Sequence, residues 1–152
     1  MSTIPLLVVD DDPRIRSALQ VELDELGITS CFFDNAFDLI DYASANPSAG
    51  IFVDLLLPQM NGIDCVKRLR LLGYKGCVFV CTSLCDTDIK KQALDAGATD
   101  YFVKSDLFND LEKIVSSCFA KDAGLSVVQF SGDVCAIWRE HSSFCVLKSA
   151  SP

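Results

Sequence analysis

The feature that most constrains this chain is an apolar run that stops at a carboxylate, and it occurs twice. Ile51, Phe52 and Val53 lead directly into Asp54, and Ile4 to Val9 is a near-continuous apolar run that ends in Asp10, Asp11 and Asp12. Short runs without polar alternation are the signature of strands covered on both faces, as in a parallel sheet. Neither run can continue without burying a charge, so both strands should emerge at their acids. The C-terminal edge of an open α/β sheet is where such folds place their ligands. After Asp54 come Pro58 and the pair Asn61-Gly62, which are turn chemistry, so one aspartate stands at a strand end above a tightly turning loop. On this stretch alone, a capping role for Asp54 remains the alternative.

The rest of the chain repeats the theme. Asp12 and Pro13 predict a helix start, with Asp12 as N-cap and Pro13 in the first position; Ile15, Ala18, Leu19, Leu23 and Leu26 carry the helix to Gly27. Ile28 to Phe33 reads as a strand. Asp34 or Asn35 caps a helix bearing Phe37, Leu39, Ile40 and Ala43. Ile63 to Leu72 is helical and Gly73 closes it. Cys77 to Cys81 is a buried strand ending in Thr82 and Ser83, and Asp86 or Thr87 caps a helix over Asp88 to Ala96. Thr99 to Val103 is the fifth strand and ends at Lys104; Ser105 or Asp106 caps a last helix with Leu107, Leu111, Ile114, Val115 and Phe119. Five strands alternating with five helices predict an α/β fold, with parallel strands joined by crossover helices on both faces of the sheet.

Composition narrows the function. The net charge is −8, which argues against a nucleic-acid surface and is compatible with a divalent cation, a basic partner or plain solubility. No apolar run is long enough to span a membrane, and the acidic N-terminal stretch MSTIPLLVVDDD is not a signal peptide, so the expectation is a cytoplasmic protein. The eight cysteines sit mostly in apolar runs such as GCVFVC; with no CxxC and a single histidine, His141, they read as small buried thiols rather than a zinc site or a disulfide framework.

Four strands therefore end in reactive side chains, namely Asp10-Asp11, Asp54, Thr82 and Lys104. Parallel strands bring these ends to one edge. Three carboxylates in one pocket repel one another unless a cation or proton sits among them, and a hard divalent ion with oxygen ligands, Mg²⁺ (or Mn²⁺), fits best. Lys104 offers an ammonium to a phosphate oxygen or to Asp54, and Thr82 offers a hydroxyl donor. The set describes a pocket for phosphoryl transfer onto a carboxylate. Each residue taken singly is a strand end or a cap, and Asp12 is read as a cap.

VVDDDPRIR, IFVDLLLPQMNG, VFVCTS and AGATDYFVK, in this order, closely resemble the receiver domain of two-component response regulators over about residues 4 to 120. The resemblance implies a flavodoxin-like, doubly wound sheet of order 2-1-3-4-5 in a receiver of residues 1–120. It implies Asp54 as phosphoacceptor and Mg²⁺ bound by Asp11, Asp54 and the backbone carbonyl of Leu56, with Asp10 acting through a water. It further implies Thr82 and Tyr101 as a switch pair and Lys104 as partner of a phosphoryl oxygen. The implied donor is a histidine kinase or histidine phosphotransfer protein, and the implied output is a downstream protein or a second copy of the chain, without direct nucleic-acid or membrane contact.

There are departures. Ser105 stands where the family usually has a proline after its lysine, and a non-proline bond is expected to be trans. Ser83 replaces a residue that is often Ala or Gly. Leu56 and Leu84 occupy two positions where polar side chains can position water, and apolar groups there predict slow loss of the phosphoryl group.

Residues 121–152 form a C-terminal extension without family resemblance. Leu125 to Phe130, Val134 to Trp138 and Phe144 to Leu147 read as short strands that pack on the receiver or on a second copy. The extension lacks the basic helix of a DNA-binding output domain, and His141 reads as a surface residue rather than a phosphotransfer site. Two other function classes compete. A haloacid-dehalogenase-type phosphohydrolase also uses a strand-end aspartate with Mg²⁺, but needs an acid where Leu56 stands. A receiver-like interaction module would keep the fold without the phosphorylation.

Overall fold

The structure is a computed structural model that describes residues 4–83 and 86–122. Its five strands, β1 (Leu6–Val9), β2 (Ser30–Phe33), β3 (Gly50–Asp54), β4 (Cys77–Thr82) and β5 (Asp100–Val103), form one parallel sheet in the order β2-β1-β3-β4-β5. Every residue of β1, β3 and β4 is buried, which is why their sequences show no alternation. The side chains still alternate in direction. Leu6, Val8, Phe52 and Phe79 point into one apolar layer, and Leu7, Val9, Ile51, Val53, Val78 and Val80 into the other. Phe79 anchors the first layer with its ring centroid 5.5 Å from those of both Phe52 and Phe102.

The helices are α1 (Pro13–Glu25), α2 (Ala36–Ala45), α3 (Gly62–Leu71), α4 (Thr87–Ala96), α5 (Lys104–Asn109) and α6 (Leu111–Asp122). The polar starts predicted from the sequence hold for α1, α2 and α4, while α3 begins at Gly62, one residue before the predicted Ile63, and is capped by Asn61, which the sequence offered only as turn chemistry. Asp12, Asn35, Asn61 and Asp86 each accept a backbone N–H from the first turn that follows. After β5 the structure departs from the expectation of a single capped helix. The helix begins directly at Lys104 with Val103 at its N-cap and no side-chain cap, so neither Ser105 nor Asp106 plays that role. It stops at Asp110, and a sixth helix starts at Leu111. The pattern Leu107, Leu111, Ile114, Val115, Cys118 runs unbroken into the same core layer through this interruption, so apolar spacing gave no sign of it.

Cys65, Cys77, Cys81 and Cys118 are buried and Cys31 is half-buried, as expected for small apolar side chains; burial pushes the Cys65 thiol up to about 12. Among the described residues no peptide bond is cis, and no helix is long and apolar enough to cross a membrane. The strands predicted after Gly124, together with His141 and Leu84, lie outside the described residues.

Register positions the site. Val9 pairs with Val53, so the next residues, Asp10 and Asp54, emerge side by side. Asp54 pairs with Cys81, which puts Thr82 one step further along, and Thr82 pairs with Val103, which puts Lys104 a step beyond that.

Candidate functional site

This staircase of strand ends gathers the acids. One carboxylate oxygen from each of Asp10, Asp11 and Asp54 lies within 4.8 Å of the others. Asp10 and Asp54 are only 3% and 6% exposed, whereas Asp11 faces solvent. The Lys104 ammonium enters from α5, with Nζ 2.8 Å from Asp10 Oδ2 and 3.1 Å from Asp54 Oδ1. One cation thus meets the two buried acids, with the exposed Asp11 beside them.

The electrostatics follow. Burial pushes Asp54 up to about 6 and the neighbouring charge of Asp10 adds to it, while Lys104 pulls the other way. Burial on its own would lower the Lys104 ammonium, but its hydrogen bond to Asp10 and the charges of Asp54 and Asp10 outweigh this and raise it. Asp12 does something different. Hydrogen bonds from Arg14 hold its carboxyl down at about 2, and it caps α1, as read from the sequence.

Backbone contacts hold the acids in place. Asp12 N–H donates to Asp10 Oδ1 at 2.9 Å, and Arg16 Nη1 donates to the Asp10 carbonyl at 2.6 Å. Behind Asp54, Leu55 N–H donates to the Cys81 carbonyl at 2.9 Å, and Gly62 N–H donates to the Leu55 carbonyl at 2.8 Å. In the loop between, Met60 N–H donates to the Pro58 carbonyl at 2.7 Å across Gln59, whose φ is +68°. This is a γ-turn with a strained, left-handed, non-glycine centre.

Thr82 is fully buried at the end of β4, and Tyr101 is buried in β5, paired with Val80. Leu56 is 58% exposed at the rim. The expected pocket residues Asp10, Asp11, Asp54 and Lys104 are thus brought together; Thr82 ends the neighbouring strand β4, and Leu56 follows Asp54 by two residues. Sequence reasoning missed the contacts of Arg16 and Gly62 and the strain at Gln59. A side-chain bond to a backbone carbonyl and a close backbone approach leave no periodic signal.

The donor set fits a hard divalent cation. It is all oxygen, it carries more negative charge than Lys104 can balance, and its solvent-facing side at Asp11 gives an ion room for waters.

The family model of the response regulator receiver domain matches residues 6–116. The chain belongs to this family. Its receiver domain is 37% identical over 100 residues to the transcriptional regulatory protein KdpE of Mycobacterium tuberculosis, covering 65% of this chain and 43% of the relative. It is 30% identical over 119 residues to the two-component response regulator PhoP of Pseudomonas aeruginosa, covering 78% of this chain and 53% of the relative. The chain therefore spans about half the length of the curated relatives it matches.

Among solved structures, the receiver domain of the Francisella response regulator 1452 superposes with a TM-score of 0.74 at 24% identity, covering 79% of this chain and 99% of that one. The receiver domain of the sensor histidine kinase PA1611 from Pseudomonas aeruginosa has a magnesium ion coordinated in its active-site cleft. It superposes with a TM-score of 0.71 at 20% identity, covering 78% of this chain and 99% of that one. Both share the receiver fold with this chain.

Proposed function

We propose that this receiver domain takes a phosphoryl group onto Asp54 from a phosphohistidine of a histidine kinase or histidine phosphotransfer protein. The observation that carries this reading is the setting of Asp54, a buried carboxylate 3.1 Å from the Lys104 ammonium and clustered with Asp10 and Asp11.

A carboxylate oxygen of Asp54 attacks phosphorus in line. The new O–P bond forms as the P–N bond of the donor breaks, and the imidazole leaves with the electron pair and is protonated by solvent. The attacking group must be ionised. With Asp54 at about 6, most of it is so at neutral pH. Lys104 lies against both Asp10 and Asp54 and neutralises charge on the transferring group. Asp10, Asp11, Asp54 and the backbone carbonyl of Leu56 would hold Mg²⁺ (or Mn²⁺), which supplies positive charge for the anionic donor and the group in transfer.

The new charge on Asp54 draws the Thr82 hydroxyl, and Tyr101, on the neighbouring strand, repacks with it. The face of α4, β5 and α5 then changes its affinity for a downstream protein or a second copy. On this reading residues 1–120 are the switch and 121–152 an extension beyond it.

The direct test is transfer from a purified phosphotransfer protein charged with labelled phosphate on its histidine. Label moving to the chain with Mg²⁺, and not to Asp54→Asn, supports the reading; no transfer to the parent chain from any charged donor overturns it.

A further inference from the structure

Opposite the acidic site, at the N-terminal edge of the sheet, two grooves of about 400 and 340 Å³ meet at Lys75, which lines both. The first reaches Cys118 on α6, and the second runs between α2 and α3 past Ile40 and Leu72. The wall is partly apolar and open: Leu72 is 56% exposed and its neighbour Leu71 is 84% exposed. Ile40, Leu69 and the exposed Leu72 together give the second groove an apolar wall of the kind that a partner covers.

We infer that this edge is a docking groove for the chain's own residues 123–152, with the indole of Trp138 as anchor. Three observations choose this occupant. The described chain ends at Asp122, one helical turn beyond Cys118, so the following segment starts beside the groove. That segment holds Val127, Val128, Phe130, Ile137, Trp138, Phe144 and Leu147, apolar material that needs cover. A buried indole contributes roughly 150–250 Å² of contact, and pockets from about 300 Å³ upwards accommodate groups of this size. Charge does not oppose it. Among the described residues neither Arg70 nor Lys75 has a carboxylate within ion-pair distance. Arg70 donates instead to the carbonyls of Gly97, Tyr74 and Gly76, which fixes its charge at the groove. The segment is itself neutral, with Asp133 and Glu140 matched by Arg139 and Lys148, so apolar contact rather than charge carries the docking.

The chain carries its own reporter, because Trp138 is its only tryptophan. The experiment uses the full chain and reads Trp138 emission and acrylamide quenching, with the mass in solution measured by light scattering. The expected result is a monomer with blue-shifted, shielded emission, and a red shift with severalfold stronger quenching in the double variant Leu72→Glu, Lys75→Glu. Both positions are at the surface, and an unchanged thermal midpoint of the receiver shows that it remains folded. Val21→Glu, on an exposed apolar residue of α1, leaves the emission as it was.

Three results would overturn the inference. They are emission in the native full chain equal to that in urea, shielding that appears only as a dimer forms with rising concentration, and shielding indifferent to the double variant. The first means that nothing covers the indole, the second makes the occupant a second copy, and the third places Trp138 elsewhere. None of these readouts depends on phosphorylation of Asp54.

Discussion

A Cβ on Gly62 would lie 2.5 Å from the carbonyl oxygen of Asp54. The next nearest atom, Leu55 Cα at 2.9 Å, is also backbone, so no rotamer change relieves the clash. The start of α3 is packed against the strand end that carries Asp54, the proposed phosphoacceptor. Gly62→Ala is expected to destabilise the fold by about 1–3 kcal/mol, the usual cost of overpacking, and to slow phosphorylation of Asp54. Urea unfolding checks the first part; an unchanged midpoint would mean that the loop moves freely.

Gln59 makes the opposite prediction. At φ +68° it occupies a conformation that glycine adopts without penalty. Gln59→Gly should raise stability by roughly 1 kcal/mol, and Gln59→Val, β-branched, should lower it. The urea midpoints of the two variants should bracket that of the parent chain.

Asp54 carries a pH signature. Its folded value of about 6 lies above the ordinary 3.8, so between these values the folded chain holds the proton more tightly than the unfolded chain. Stability from this group is present below 3.8, is lost as pH rises to about 6, and stays lost above it. Without divalent metal, Asp54→Asn should therefore be more stable than the parent at pH 7. The gain should be on the order of 1–2 kcal/mol, less than the full shift implies because solvent reaches the Asp11 side of the cluster, and it should narrow as pH falls towards 3.8. Thermal midpoints of both proteins across this range test the sign.

Removing Lys104 strands two buried carboxylates. Lys104→Met should cost roughly 3 kcal/mol at pH 7, and less as falling pH protonates Asp54. Lys104→Arg keeps the charge and should lose much less. A cost independent of pH would show that the ammonium acts through packing alone.

The exposed side chain of Leu56 has no polar atom with which to position a water. The phosphorylated chain should lose its phosphoryl group over minutes or longer, and Leu56→Gln should shorten that lifetime. A lifetime of seconds in the parent chain, followed by mass spectrometry after removal of the donor, would contradict this.

Much of this molecule was legible because buried parallel strands announce themselves twice, by losing alternation and by stopping at a charge. Asp10, Asp54 and Lys104 were found that way, and the pairing of Val9 with Val53 turned neighbouring strand ends into neighbouring carboxylates. The break at Asp110 was not legible, because Leu107, Leu111 and Ile114 keep helical spacing across it. Nor was the bond from Arg16 to the Asp10 carbonyl, since a backbone acceptor has no residue type. Gly62 was read as turn chemistry; its actual constraint is the space occupied by Asp54 and Leu55, which exists only once the strand and helix are packed.

The most direct measurement is intact mass after incubation with acetyl phosphate, with and without Mg²⁺, beside Asp54→Asn. Phosphoryl transfer onto Asp54 predicts a gain of one phosphoryl group that requires Mg²⁺ and is absent from the variant. No gain in the parent chain while it still binds Mg²⁺, or an equal gain in Asp54→Asn, would contradict it.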